Sequence, residues 1–148
     1  MAATTLTEIR TDSTSDQKAA SATRRRVLIV DDDSSVLGLL STVLENLDVD
    51  VETCSDPEAA IARFQESAFD LVISDERMPK MTGTEMLRRV RSMSPRTPTI
   101  ILTAYVTNKA LSAAYEQSGV FGYVAKPFDN RTFVGTVREA LRCAQNLS

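Results

Sequence analysis

Four apolar residues in a row with no polar alternation, Val27–Val30 (VLIV), are too few for a helix and predict a strand buried on both faces. The same kind of segment returns at Leu71–Ser74, Thr99–Leu102 and Phe121–Ala125, with an alternating strand at Val49–Cys54. Between them lie segments of helical period. Ser34–Leu47 spaces Val36, Leu40, Val43, Leu44 and Leu47 along one face. Asp56-Pro57 caps a second helix with Ile61 and Phe64 inward, and Thr82–Met93 carries Met86, Leu87 and Val90. Asn108–Gln117 is expected to form a fourth helix closed by Gly119. Asn130–Gln145 is expected to form a fifth, with Phe133, Val137, Leu141 and Ala144 on one side and Gly135 inside it, a glycine read as serving close packing. Five strands alternating with five helices through short turns predict an α/β fold, a doubly wound parallel sheet covered on both faces.

The polar residues fall at one edge of that sheet. Strand one runs into Asp31, Asp32 and Asp33, strand three into Asp75, strand four into Thr103 and strand five into Lys126-Pro127. Ligands of open parallel sheets bind at the carboxyl edge where strand order reverses, and the order 2-1-3-4-5 sets strands one and three together at such a point. Asp31, Asp32 and Asp75 then share a pocket with Thr103 and Lys126 across it. Adjacent carboxylates repel, so stability alone gives no reason for the stack. Three carboxylates against one ammonium leave a deficit that a divalent cation neutralises, and an all-oxygen, open site suits Mg²⁺, with Mn²⁺ as a substitute. Asp33, directly before helix one, reads as its N-cap.

Composition narrows the chemistry. The 148 residues contain no histidine, which excludes Ser-His-Asp and Cys-His triads, histidine-ligated zinc and a phosphohistidine carrier. Neither GxxxxGK[ST] nor GxGxxG occurs. The net charge of −3 implies no large basic footprint for nucleic acid. Cys54 and Cys143 stand outside any CxxC pair and read as free thiols of a cytoplasmic protein; no signal peptide or membrane span is expected. Residues 1–23, rich in Thr, Ser and Ala, read as a disordered tail, and 24–148 as the folded domain. Arg24–Arg26, Arg88, Arg89 and Arg91, and Arg131, Arg138 and Arg142 read as solvated charge, although the last group could meet a partner or a second copy.

Together VLIVDDD, LVISDERMP, ILTAY and GYVAKPF, spread over Arg26–Leu147, resemble the receiver domain of two-component response regulators, of chemotaxis-regulator type. That resemblance implies a flavodoxin-like (βα)5 fold of strand order 2-1-3-4-5. It makes Asp75 the acceptor of a phosphoryl group from a histidine kinase or histidine phosphotransfer protein. Asp32, Asp75 and the backbone carbonyl of Arg77 would ligate Mg²⁺, and Asp31 would reach it through water. Lys126 and Thr103 would bind phosphoryl oxygens. Tyr123 would swing in behind Thr103 and change the face formed by the fourth helix, fifth strand and fifth helix. Such a chain catalyses its own phosphorylation and dephosphorylation and is not a conventional enzyme. Arg77 and Tyr105 occupy positions that, in this family, tune phosphate lifetime. Since the last helix ends near Ser148, output is expected through a downstream protein target, a separate effector domain or a homodimer, with no DNA binding by this chain.

Two alternatives follow from the same residues. Asp31-x-Asp33-x-Ser35 also resembles the nucleophile motif of haloacid-dehalogenase-type phosphatases, with Asp31 attacking and Asp33 as acid/base, but only Asp129 and Glu139 remain for the acidic pair that family needs after its lysine. The other is a docking module independent of phosphorylation. A flavin-binding flavodoxin is disfavoured because no phosphate-binding Ser/Thr/Gly loop follows strand one.

Overall fold

The computed structural model describes residues 24–104 and 122–147. Its elements are β1 (Arg25–Val30), α1 (Ser34–Leu44), β2 (Val49–Cys54), α2 (Pro57–Glu66), β3 (Leu71–Asp75), α3 (Gly83–Met93), β4 (Thr99–Thr103), β5 (Gly122–Ala125) and α4 (Asn130–Leu147). The tail 1–23, Tyr105, the Asn108–Gln117 helix with Gly119, and Phe121 lie outside the described residues.

The strands form one sheet of order β2-β1-β3-β4-β5, every neighbouring pair parallel. Strand residues point alternately to the two faces, and the core divides accordingly. Val27, Ile29, Leu71, Ile73, Ile100 and Leu102 pack under α1 and α4 against Leu37, Leu40, Leu44, Phe133, Val137 and Ala140. Leu28, Val30, Val72 and Ile101 pack under α2 and α3 against Ala60, Phe64, Met86, Leu87 and Val90. Each fully buried aliphatic or aromatic side chain contributes about 1.5–3 kcal/mol, so apolar runs on both faces are what a sheet covered on both sides requires.

Caps mark where the helices start. Asp33 accepts from Ser35 N at 3.0 Å, Asp56 from Ala59 N at 2.9 Å, Thr82 Oγ1 from Glu85 N at 3.1 Å and Asp129 from Thr132 N at 2.7 Å. Three details depart from the sequence reading. In α1 it is Leu37 that is buried, with Val36 only partly covered, and the helix stops at Leu44 before Leu47. In α2, Ala60 is buried while Ile61 is half-covered. Gly135 is exposed and a Cβ there would meet nothing within 4 Å, so close packing is not its reason.

The arginine run at the start of β1 is built into the sheet's amino edge and is not simply solvated. Arg24 pairs with Asp50 at 3.2 Å, Arg25 with Asp70 at 3.3 Å and Arg26 with Glu52 at 3.3 Å. The Arg26 guanidinium also lies 4.6 Å from the Phe69 ring centroid. Arg138 and Arg142, on the exposed side of α4, line an open cleft with Arg25 and Asp48. Cys54 and Cys143 are free and half-buried. No helix among the described residues is long and apolar enough to cross a membrane.

Candidate functional site

Register brings the acids together. Val30 of β1 sits opposite Ser74 of β3, so the next residues, Asp31 and Asp75, emerge side by side at the carboxyl edge. On the other side of β3, Asp75 is opposite Leu102 and Thr103 is opposite Ala125, which puts Lys126 one residue beyond. Lys126 N donates to Thr103 O at 2.9 Å, and the Lys126 ammonium reaches Asp75 Oδ1 at 2.7 Å. One carboxylate oxygen from each of Asp31, Asp32 and Asp75 lies within 4.8 Å of the other two.

The three acids differ in environment. Asp31 is 2% exposed; its Oδ1 accepts from Asp33 N at 2.9 Å while its buried Oδ2 has no partner. Burial, with the repulsion of Asp75 behind it, pushes its pKa up to about 6 despite the Asp33 hydrogen bond that opposes the shift. Asp32 is exposed and faces the pocket from the solvent side. Asp75 is 9% exposed and is the member in contact with the lysine. A buried carboxylate oxygen with no partner is costly, and a cation among three hard oxygen donors would relieve it. The donor set therefore fits Mg²⁺.

Asp33 is set apart from this group. It is exposed and accepts from both the backbone N and the hydroxyl of Ser35, which hold its pKa below the usual carboxylate value. Asp129 is likewise occupied, capping α4. Thr103 is 2% exposed at the end of β4, and Tyr123 is 37% exposed on β5, opposite Ile101. The side chain of Arg77 is exposed.

Several contributors were not foreseen from the sequence. Ser74 Oγ donates to Asp75 O at 2.8 Å. A Cβ on Gly83 would overlap the Asp75 carbonyl oxygen and crowd Ser74 Oγ, so the first residue of α3 sits directly on the Asp75 backbone. Glu76 accepts from Thr84 N and Thr84 Oγ1. The visible signal was Thr82-Gly83-Thr84-Glu85, an S/T-x-x-E capping pattern that places a helix start seven residues after Glu76.

Comparison with known proteins gives one consistent answer. The family model for the response regulator receiver domain matches residues 27–138. The DNA-binding transcriptional regulator NtrC of Salmonella typhimurium is 35% identical over 108 residues, covering 73% of this chain and 23% of NtrC. The transcriptional regulatory protein TrcR of Mycobacterium tuberculosis is 36% identical over 100 residues, covering 66% of this chain and 38% of TrcR. The chain thus spans a minor part of either relative. Among solved structures, the chemotaxis response regulator CheY4 of Vibrio cholerae superposes with a TM-score of 0.74 at 35% identity, covering 80% of this chain and 99% of CheY4. A CheY-like receiver domain protein from Methanospirillum hungatei reaches 0.79 at 27% identity, covering 85% of this chain and all of that one (100%).

Proposed function

The chain belongs to the response regulator receiver family, and from that premise we propose that it is a phosphoacceptor of a two-component signalling system with Asp75 as the accepting residue. The observation that carries this reading is the position of Asp75: nearly buried, clustered with Asp31 and Asp32, and held by Lys126 at 2.7 Å. A carboxylate oxygen of Asp75 attacks the phosphorus of a phosphohistidine on a histidine kinase or histidine phosphotransfer protein. The P–O bond forms as the P–N bond breaks, and the departing imidazole nitrogen keeps the electron pair. Lys126 steadies the carboxylate beforehand and then pairs with the phosphoryl oxygens, to which Thr103 offers its hydroxyl. Asp31, Asp32, Asp75 and the backbone carbonyl of Arg77 would hold Mg²⁺, or Mn²⁺ in its place. When bound, the cation offsets charge on the phosphoryl oxygens.

Phosphorylation replaces a carboxylate by a more highly charged group and biases a two-state surface through Thr103 and Tyr123. We place that surface on the Asn108–Gln117 segment, β5 and α4, where a downstream protein, an effector domain or a second copy would read it. The folded receiver would extend over 24–148, after a tail at 1–23, in the cytoplasm. The phosphatase reading is weaker because Asp33 and Asp129, which it requires for chemistry, are both engaged as helix caps.

The test is intact mass after incubation with Mg²⁺ and acetyl phosphate for the wild type, Asp75→Asn and Asp31→Asn. One added phosphoryl group in the wild type, absent in Asp75→Asn, is the expected result. Loss only in Asp31→Asn would move the nucleophile to β1. An unmodified wild type, even with a cognate kinase, would leave a docking module.

A further inference from the structure

The loop that carries Arg77 leaves and rejoins the body of the protein at a single neck. Glu76 N donates to Leu102 O at 3.1 Å, which fastens the loop's first residue to β4. Gly83 N donates to Glu76 O at 3.0 Å, which closes the other side. The Glu76 carboxylate then accepts from Thr84 N at 2.8 Å and from Thr84 Oγ1 at 2.7 Å. The first turn of a helix exposes four N–H groups with no internal partner. Here Glu76 satisfies those of Gly83 and Thr84 and the Thr82 hydroxyl takes that of Glu85 at 3.1 Å, while Met86 N makes the helix's first internal bond, to Thr82 O at 3.0 Å. Within the excursion, Lys80 holds a left-handed backbone (φ 76°), a conformation that a non-glycine residue keeps only when its surroundings impose it.

Glu76 therefore stands between the acceptor and the loop, with Asp75 before it and Arg77 after it. We propose that Glu76 is a positioning residue: its side chain locks the start of α3 onto the neck of the loop, holding the backbone of Asp75 and Arg77 in the geometry that binds Mg²⁺. This rests on the phosphoacceptor reading above. It assigns a function to a glutamate that the sequence presents as one more charge in a turn.

The carboxylate acts as a hydrogen-bond acceptor, and its charge is secondary. Glu76→Gln removes the charge and keeps an oxygen able to accept from both Thr84 donors; Glu76→Ala removes both. Mg²⁺ binding is measured by isothermal titration calorimetry on the unphosphorylated full chain for the wild type, Glu76→Gln, Glu76→Ala, Thr84→Val and the Glu76→Ala/Thr84→Val double variant. Outer partners of metal ligands typically set affinity by about 10–100-fold. Glu76→Ala should weaken Mg²⁺ binding by about tenfold, with Glu76→Gln staying within about twofold of wild type. Thr84→Val, which keeps the backbone donor, should fall between them. The double variant should bind no more weakly than Glu76→Ala, because the two side chains serve one contact.

Glu76→Ala with wild-type affinity and a lowered melting temperature would make Glu76 a helix cap only and overturn the proposal. A Gln variant as weak as Ala would also overturn it, by showing that charge is what counts. Should the Ala variant not fold, Thr84→Val decides: unchanged affinity there is equally fatal. A wild type that binds no Mg²⁺ would sink the phosphoacceptor reading itself, and this proposal with it.

Discussion

Asp31 shows at the scale of one residue what the acid pocket costs. A carboxyl whose pKa rises on folding, here from 3.8 to about 6, binds its proton more tightly in the folded chain than in the unfolded one. Its ionisation is therefore paid in stability above pH 6, and the penalty is relieved as pH falls from 6 toward 3.8. Asn at this position keeps an oxygen for the Asp33 N–H and carries no charge. In metal-free buffer at pH 8, Asp31→Asn should be more stable than wild type by on the order of 3 kcal/mol, from about 1.4 kcal/mol per pKa unit. The gap should close near pH 4. Urea melts of the two proteins across that range check it, and a gap that widened toward low pH would contradict the assignment. Gly83 makes the opposite demand, for space. Any Cβ there runs into the Asp75 carbonyl, so Gly83→Ala must push α3 off the end of β3. A loss of about 1–3 kcal/mol is expected, as for other overpacked sites, together with loss of acetyl phosphate labelling. Unchanged stability would mean that the helix start has room to move.

For the helices, glycine has a different meaning. Gly38 in α1 and Gly135 in α4 lie in helix interiors, exposed, and a Cβ at either position would meet nothing within 4 Å. Neither is needed for a tight approach or a positive φ, so both carry only the entropic cost of glycine. Gly38→Ala and Gly135→Ala should each stabilise the protein by about 0.5–1 kcal/mol, additively because they sit on separate helices. Chemical denaturation of the single and double variants measures this; a destabilised Gly135→Ala would mean the glycine answers a packing need. The elements show where sequence periodicity informs and where it stops. Every described helix and strand was legible, because apolar runs and caps such as Asp56-Pro57 are local signals. That Leu37 is buried more fully than Val36, which still packs on the core, was not, since a helix's rotation about its axis is settled by what it packs on. The Arg24–Arg26 clasp was invisible for a related reason: its partners Asp50, Asp70 and Glu52 lie 26 to 45 positions away, and only strand register delivers them.

Taken whole, the molecule sorts its charge between the two ends of the sheet. At the amino edge Arg24, Arg25 and Arg26 meet Asp50, Asp70 and Glu52, the last shared with Arg63. At the carboxyl edge Asp31, Asp32 and Asp75 meet, among the described residues, one ammonium, Lys126, and the buried Oδ2 of Asp31 is left over. The site's acids were legible in the sequence because each sits at a strand's end; Glu76, Thr84 and Gly83 were not, because nothing local distinguishes a clamp from a solvated turn. An excess of carboxylates at that edge makes global stability a reporter of what binds there. A ligand that binds only the folded state adds RT ln(1 + [L]/Kd), about 1.4 kcal/mol at ten times Kd. Mg²⁺ at that concentration should raise the melting temperature of the wild type by several degrees relative to KCl of equal ionic strength. The same addition should do little for Asp32→Asn or Asp75→Asn, each of which removes one of the three charges that attract the ion. Lowering the pH below about 6 should erase the gain in the wild type, because Asp31 then holds a proton that the cation must displace. Equal shifts in all three proteins would mean that Mg²⁺ acts elsewhere on the surface, since no change confined to the acid pocket could leave them alike.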